Sequence, residues 1–221
     1  NYCRLTKEMK VYRIYFVALG LALVSIAAWG FTAQREANAR KTRQAVEQSR
    51  AYFASLVSTR IDQYWHRGDY DSCIRLLKLQ TTLDPQWIEG YDQAGWLLWS
   101  TKRFDEAAET YLEGIENNPD SYRLYYELGH MYYRTADGTL YDKTREEIQT
   151  LYEKSAEQLE QAIRKSPCPG YIKRHYARIL GKLGRHEEQR EVLEALLEAD
   201  PSDFLCRRDL EALNNAQENT P

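Results

Sequence analysis

The chain has 221 residues, a mean hydropathy of -0.68, and 30 Lys and Arg against 33 Asp and Glu. Its 11 glycines and 6 prolines are too few for a collagen-like or low-complexity polymer. Residues 1–53 carry nine Lys/Arg and three Asp/Glu, a net of +6, and residues 54–221 carry 21 and 30, a net of -9; the acidic body excludes nucleic acid as a non-specific partner, because binding phosphates takes many cations.

From the N-terminus, a basic tail at 1–10 leads into residues 14–34, IYFVALGLALVSIAAWGFTAQ, which carry no charge. At 1.5 Å per residue such a run spans about 30 Å, the thickness of a bilayer core. Arg13 and Arg35 bracket it, and Tyr12, Tyr15, Phe16, Trp29 and Phe31 sit at its ends like an aromatic belt. The expectation is a transmembrane helix over 11–33, with the lipid bilayer as a partner; a secretory signal peptide is the competing reading. Ala18, Ala22 and Ser25 share one helical face and would permit close packing on another membrane helix. The short basic tail ahead of a single span predicts an inside N-terminus, with the remainder in the periplasm of a bacterial inner membrane.

Residues 34–53 contain neither Gly nor Pro and are rich in Ala, Arg, Gln and Glu, which predicts a solvated helical stalk. Cys3, Cys73, Cys168 and Cys206 form no CxxC pair and no ligand-like spacing with His66, His130, His175 or His186. No metal site and no cofactor is expected.

Beyond the stalk a period appears. Pro85 and Pro119 are 34 residues apart, Pro119 and Pro167 are 48 apart, which is 34 plus 14, and Pro167 and Pro201 are again 34 apart. Placing each proline at position 32 divides 54–203 into units at 54–87, 88–121, 122–169 and 170–203. The second unit then has Gly95 at position 8, Phe104 at 17, Ala107 at 20, Tyr111 at 24 and Gly114 at 27. The third has Leu128, Gly129 and Tyr132, then Tyr152, Leu159 and Ala162. The first has Tyr64, Gly68, Tyr70, Cys73 and Leu77, and the fourth Tyr176, Ala177, Gly184 and Leu193. Two positions depart from the pattern: Ile61 stands at position 8 and Gln189 at position 20, where small residues are expected.

This pattern resembles the tetratricopeptide repeat, a helix-turn-helix unit. Positions 8 and 20 are where the two helices cross, glycine at 15 serves the turn, and proline at 32 ends the second helix. The expected fold is therefore all-α: an N-terminal transmembrane helix and stalk, an α-solenoid of four repeats, and a capping helix with tail at 204–221. The extra residues of the third unit lie near 135–149. Thr144 and Glu147 there read as a capping box.

The resemblance implies that positions 2, 5, 6, 9, 12 and 13 face a concave groove. These are Asp62, Trp65 and His66; Asp92, Gln93, Trp96 and Trp99; Arg123, Tyr126, Glu127, His130, Tyr133 and Arg134; and Tyr171, Arg174, His175, Arg178 and Lys182. Trp65, Trp96, Trp99 and Tyr133 would anchor a partner segment, and Arg174, Arg178 and Lys182 would receive its acidic part. Packing of the same rings as ordinary core is the competing reading. Neither register of the groove supplies the cations of a chaperone-tail carboxylate clamp: one offers Ser58, Asp62, Gln93, Arg123 and Glu127, the other Asp92, Trp96, Glu127, Tyr171 and His175.

No nucleophile elbow, phosphate loop or HExxH stands in the chain, so no enzyme activity is expected. The functional expectation is a membrane-anchored scaffold for protein–protein interaction, a subunit or assembly factor of a membrane complex, with other subunits as partners. A peptide-binding targeting or translocation receptor is the alternative.

Overall fold

The computed structural model describes the backbone of residues 2–138 and 143–218 and the side chains of 29–138 and 143–215. Among the described residues there are nine helices and no strand. The chain divides into two units, 1–58 and 59–221.

The first unit is a stretch of α1, which runs from Tyr2 to His66. From Trp29 to Leu56 nearly every side chain is exposed, and the helix is held by its own backbone and by local bonds. Gln34 Nε2 donates to Asn38 Oδ1 at 3.2 Å, and the Thr42 and Ser49 hydroxyls donate to carbonyls one turn back at 3.1 and 2.9 Å.

The membrane expectation is corrected here. No helix among the described residues is long and apolar enough to cross a membrane. The described end of the 11–33 segment carries open aromatic rings, Trp29 and Phe31, and Arg35, Glu36, Arg40, Lys41 and Arg43 follow within about three turns. The single-pass location with a periplasmic domain is overturned with it. The packing face proposed for Ala18, Ala22 and Ser25 lies outside the residues whose side chains are described, as do those of the 1–10 tail.

The second unit is a succession of helices: the end of α1, α2 (Tyr70–Leu83), α3 (Ile88–Ser100), α4 (Phe104–Asn117), α5 (Tyr122–Asp137), α6 (Arg145–Ile163), α7 (Gly170–Lys182), α8 (His186–Ala199) and α9 (Phe204–Glu218). From α2 onward each packs on the next, and the end of α1 meets α2 through Ile61 and Cys73. Small residues let the pairs close: Cys73, Ala94, Ala107 and Ala162 are wholly buried. At position 20 of the third repeat stands Ser155, also wholly buried, whose Oγ donates to the Gly129 carbonyl at 2.8 Å. Gln189 departs from the small-residue pattern, and the facing helix makes room for it at Gly181, where a Cβ would stand 2.8 Å from Gln189 Oε1.

Core residues form one cluster from α2 to α5, a second from α5 to α7, and a third from α7 to α9. α9 covers the last apolar face with Cys206, which is wholly buried. Both halves of the capping box form at α6: Glu147 N–H donates to Thr144 Oγ1 at 3.2 Å, and Thr144 N–H donates to Glu147 Oε2 at 2.7 Å. Part of the 135–149 insertion, residues 139–142, lies outside the described residues.

Candidate functional site

The end of α1 and the helices α3, α5 and α7 present one side chain row, because each begins a unit and repeats the same helical phase. Three hollows adjoin along it and share residues. The first, about 360 Å³, is lined by Ile61, Trp65, Leu77, Asp92, Gln93, Trp96 and Leu97. The second, about 160 Å³, lies between Trp96, Trp99, Tyr111, Glu127, His130, Met131 and Arg134. The third, about 380 Å³, is lined by Tyr126, His130, Tyr133, Arg134, Tyr171, Arg174, His175, Arg178 and Leu205.

In the first hollow the indoles of Trp65 and Trp96 stack at 5.9 Å, and Tyr70 meets Trp65 edge-on at 5.4 Å. Trp65 is 41% and Trp96 47% exposed, so the stack keeps open apolar faces. Asp92, on the same wall, is paired with Arg123, which also reaches Glu89 at 3.3 Å.

In the second hollow Trp99 is tied down. Its Nε1 donates to Thr135 Oγ1 at 3.0 Å, and the Arg134 guanidinium lies 5.7 Å over its ring. Burial pushes the Glu127 carboxyl up to about 7; Asp92 adds to the rise and Arg123 opposes it.

The third hollow holds a ring network. His130 meets His175 edge-on at 5.3 Å, Tyr133 meets His175 at 4.9 Å, and Tyr126 meets Tyr171 at 5.4 Å. Burial, with His130 and Arg178 adding like charge, pushes the His175 imidazole down to about 4. Burial and Arg134 push His130 down as well. Both are neutral at pH 7.

Comparison with known proteins identifies the repeat in part of these helices. A tetratricopeptide-repeat family model matches residues 93–139 and 149–204. Over those residues, a little under half of the chain, the helices carry tetratricopeptide repeats. Solved structures share the fold: MamA superposes with a TM-score of 0.55 at 16% identity over 74% of this chain and 82% of that one. A thermophilic TPR protein of Thermus thermophilus gives 0.50 at 17% over 74% and 82%, and YrrB, a TPR protein with an unusual peptide-binding site, gives 0.51 at 14% over 72% and 75%. These likenesses show the fold. The curated relative bimA of Emericella nidulans is 28% identical over 71 residues, which is 32% of this chain and 9% of bimA. The match therefore spans about a tenth of that protein's length.

The TPR frame brings several predicted groove residues together and leaves others apart. Trp65, Asp92 and Trp96 share one hollow, and Tyr126, His130, Tyr133, Arg174 and Arg178 share another. Trp99 is half-buried and packs on α5 rather than standing open. Asp62 and His66 lie 3.4 Å apart on the exposed end of α1. Two of the three predicted acid-receiving cations already have internal carboxylates: Arg174 is paired with Asp203, and Lys182 lies 3.1 Å from Asp137, which also accepts from the Tyr152 hydroxyl at 2.6 Å. The Tyr152 bond, with Tyr133 and Lys182, holds the Asp137 carboxyl below its usual range. Leu205 escaped the sequence reading, because it belongs to the capping helix and not to a repeat position; nothing in the 34-residue period points to it.

Proposed function

We propose that this TPR domain holds a polypeptide segment of a partner along the face made by the end of α1, α3, α5 and α7. On this reading the chain is a scaffold, acting as a subunit or assembly factor of a protein complex and not as an enzyme. The observation that carries it is the Trp65–Trp96 stack, two adjacent indoles left about half open over a hollow. Large open aromatic faces are disfavoured on a surface that meets only water, and Trp is the residue most often found dominating binding energy. YrrB shows that a TPR fold can carry a peptide-binding site, and the same use is inferred for this one.

The test is to select peptides by display against the full chain and to measure their affinity by fluorescence anisotropy. Replacing Trp65 and Trp96 together by Ala should weaken binding about 30-fold or more, which corresponds to about 2 kcal/mol. Thermal stability should fall by less than for a core tryptophan, since both rings are about half open. Unchanged affinity in the double variant overturns the groove reading.

A further inference from the structure

The third hollow differs from the other two in charge: no carboxylate lines it, and three arginines do. Arg174 is committed to Asp203. Arg134 lies over the Trp99 ring, and Arg178 bonds the Tyr133 hydroxyl; among the described residues neither has a carboxylate partner. At the floor, His175 Nε2 is buried with no hydrogen-bond partner. A buried polar atom without a partner is costly, and two cations without a counter-ion over it define the sign of what would satisfy all three.

We propose that this hollow is a subsite for an acidic side chain of the partner segment, bound by Arg134 and Arg178, and that His175 takes up a proton as the carboxylate enters. The inference rests on the polypeptide-groove reading above. An acidic residue of a polypeptide is the occupant because the hollow continues the tryptophan row through the shared residues His130 and Arg134.

The groups facing His175 come from every side. From α5 they are Tyr126, His130, Tyr133 and Arg134; from α7, Tyr171, Arg174 and Arg178. Behind them stand Tyr152 of α6, beside Tyr133; Asp137 at the end of α5, on the Tyr133 and Tyr152 hydroxyls and paired with Lys182 of α7; and Asp203 ahead of α9, on Arg174. With no anion present, burial, His130 and Arg178 hold His175 down to about 4. A carboxylate beside it favours the imidazolium and raises that value. The bound state therefore holds more protons than the free state near pH 6, and affinity climbs as pH falls from 7.0 to 5.5. That window lies above about 4.3, where glutamate itself protonates. The proton comes from solvent and the entering carboxylate stays ionised.

The probe is fluorescein-labelled heptaglutamate, with heptaglutamine as control, titrated into the full chain at pH 7.0 and 5.5. Heptaglutamate should bind about threefold tighter or more at the lower pH, and heptaglutamine should show no such step. Arg178→Gln should remove most of the binding at both values, and His175→Gln should remove the pH step. The His175 ring proton, followed by NMR in the unaltered chain, should titrate at a higher pH once heptaglutamate is bound, a readout that survives if a variant fails to fold. A pH step that persists in H175Q, or a His175 titration that heptaglutamate leaves unmoved, overturns the proposal. So does inorganic phosphate binding as tightly as the peptide, which would make the hollow a site for free anions. Failure here with the tryptophan dependence intact would remove the subsite and leave the groove; loss of the tryptophan dependence alone would remove the groove.

Discussion

Gly95 on α3 and Tyr111 on α4 meet where the two helices cross: a Cβ built on Gly95 would stand 2.5 Å from Cζ of the tyrosine ring. The ring is 2% exposed, and its hydroxyl donates to the Asp92 carbonyl at 3.3 Å on the same helix as the glycine. The contact is backbone against a pinned ring, so nothing flexible can yield. Gly95→Ala should cost about 1–3 kcal/mol by overpacking. The measurement is a lower denaturant midpoint with unchanged slope. In a Tyr111→Leu background the same substitution should cost distinctly less, because the two sites share one contact.

The turn that follows the first helix of a unit makes the second prediction. Position 15 is left-handed in three repeats: Gly68 and Gly184 have φ +73°, and Lys102 has φ 68°. Open space surrounds the missing side chain at Gly184, so the only cost of a Cβ there is conformational. Gly184→Ala should destabilise by about 1 kcal/mol. Lys102→Gly should act in the opposite direction and by less, because glycine also loosens the unfolded chain. Melting temperatures of the two variants, one lower and one higher than the parent, check both signs.

These elements were legible because they belong to the period. Gly95, Ala107, Gly184 and the helix-ending prolines each follow from a 34-residue frame, and the frame states which helix face they occupy. Charge pairing is not periodic. Asp137 lies at the end of α5, where the third unit departs from the frame, and Asp203 lies in the turn before α9; nothing in the repeat says that they have already claimed Lys182 and Arg174. Trp99 shows the same limit. Its position in the unit equals that of a groove residue, yet Thr135, the first of three extra residues of α5, accepts its indole N–H, and Arg134 lies over its ring. The membrane reading failed on other grounds: it rested on one uncharged run and its flanks, and no helix among the described residues is long and apolar enough to cross a membrane.

Glu127 gives stability a pH dependence of defined sign. Its folded value is raised to about 7, above the ordinary 4.3 of the unfolded chain. Between those values the unfolded state releases the proton and the folded state keeps it. Its contribution to stability is therefore fully present below the unfolded value and is lost as pH rises toward 7. Glu127→Gln should remove that slope and make the protein more stable than the parent at pH 7.5. Urea unfolding at pH 5.0 and 7.5 on both proteins measures it; parallel pH trends would show that the carboxyl is solvated instead.

Asp203 sets the charge of the third hollow from outside it. Its Oδ1 accepts from the Leu205 and Cys206 N–H groups, each at 3.1 Å, at the start of α9, and its other oxygen holds Arg174. Asparagine also caps helices well, so Asp203→Asn should keep the cap and surrender only the charge. Arg174 then joins Arg134 and Arg178 without an internal counter-ion. Heptaglutamate affinity should rise several-fold at pH 7.0, with a small loss of stability. The gain should shrink in 0.5 M salt, since charge attraction at the mouth of the hollow is screened there. Asp203→Ala separates the two roles, because it loses cap and charge together: it should show the same gain in anion affinity with a larger loss of stability. If neither variant changes anion binding, Arg174 does not reach the occupant, and the subsite is confined to Arg134 and Arg178.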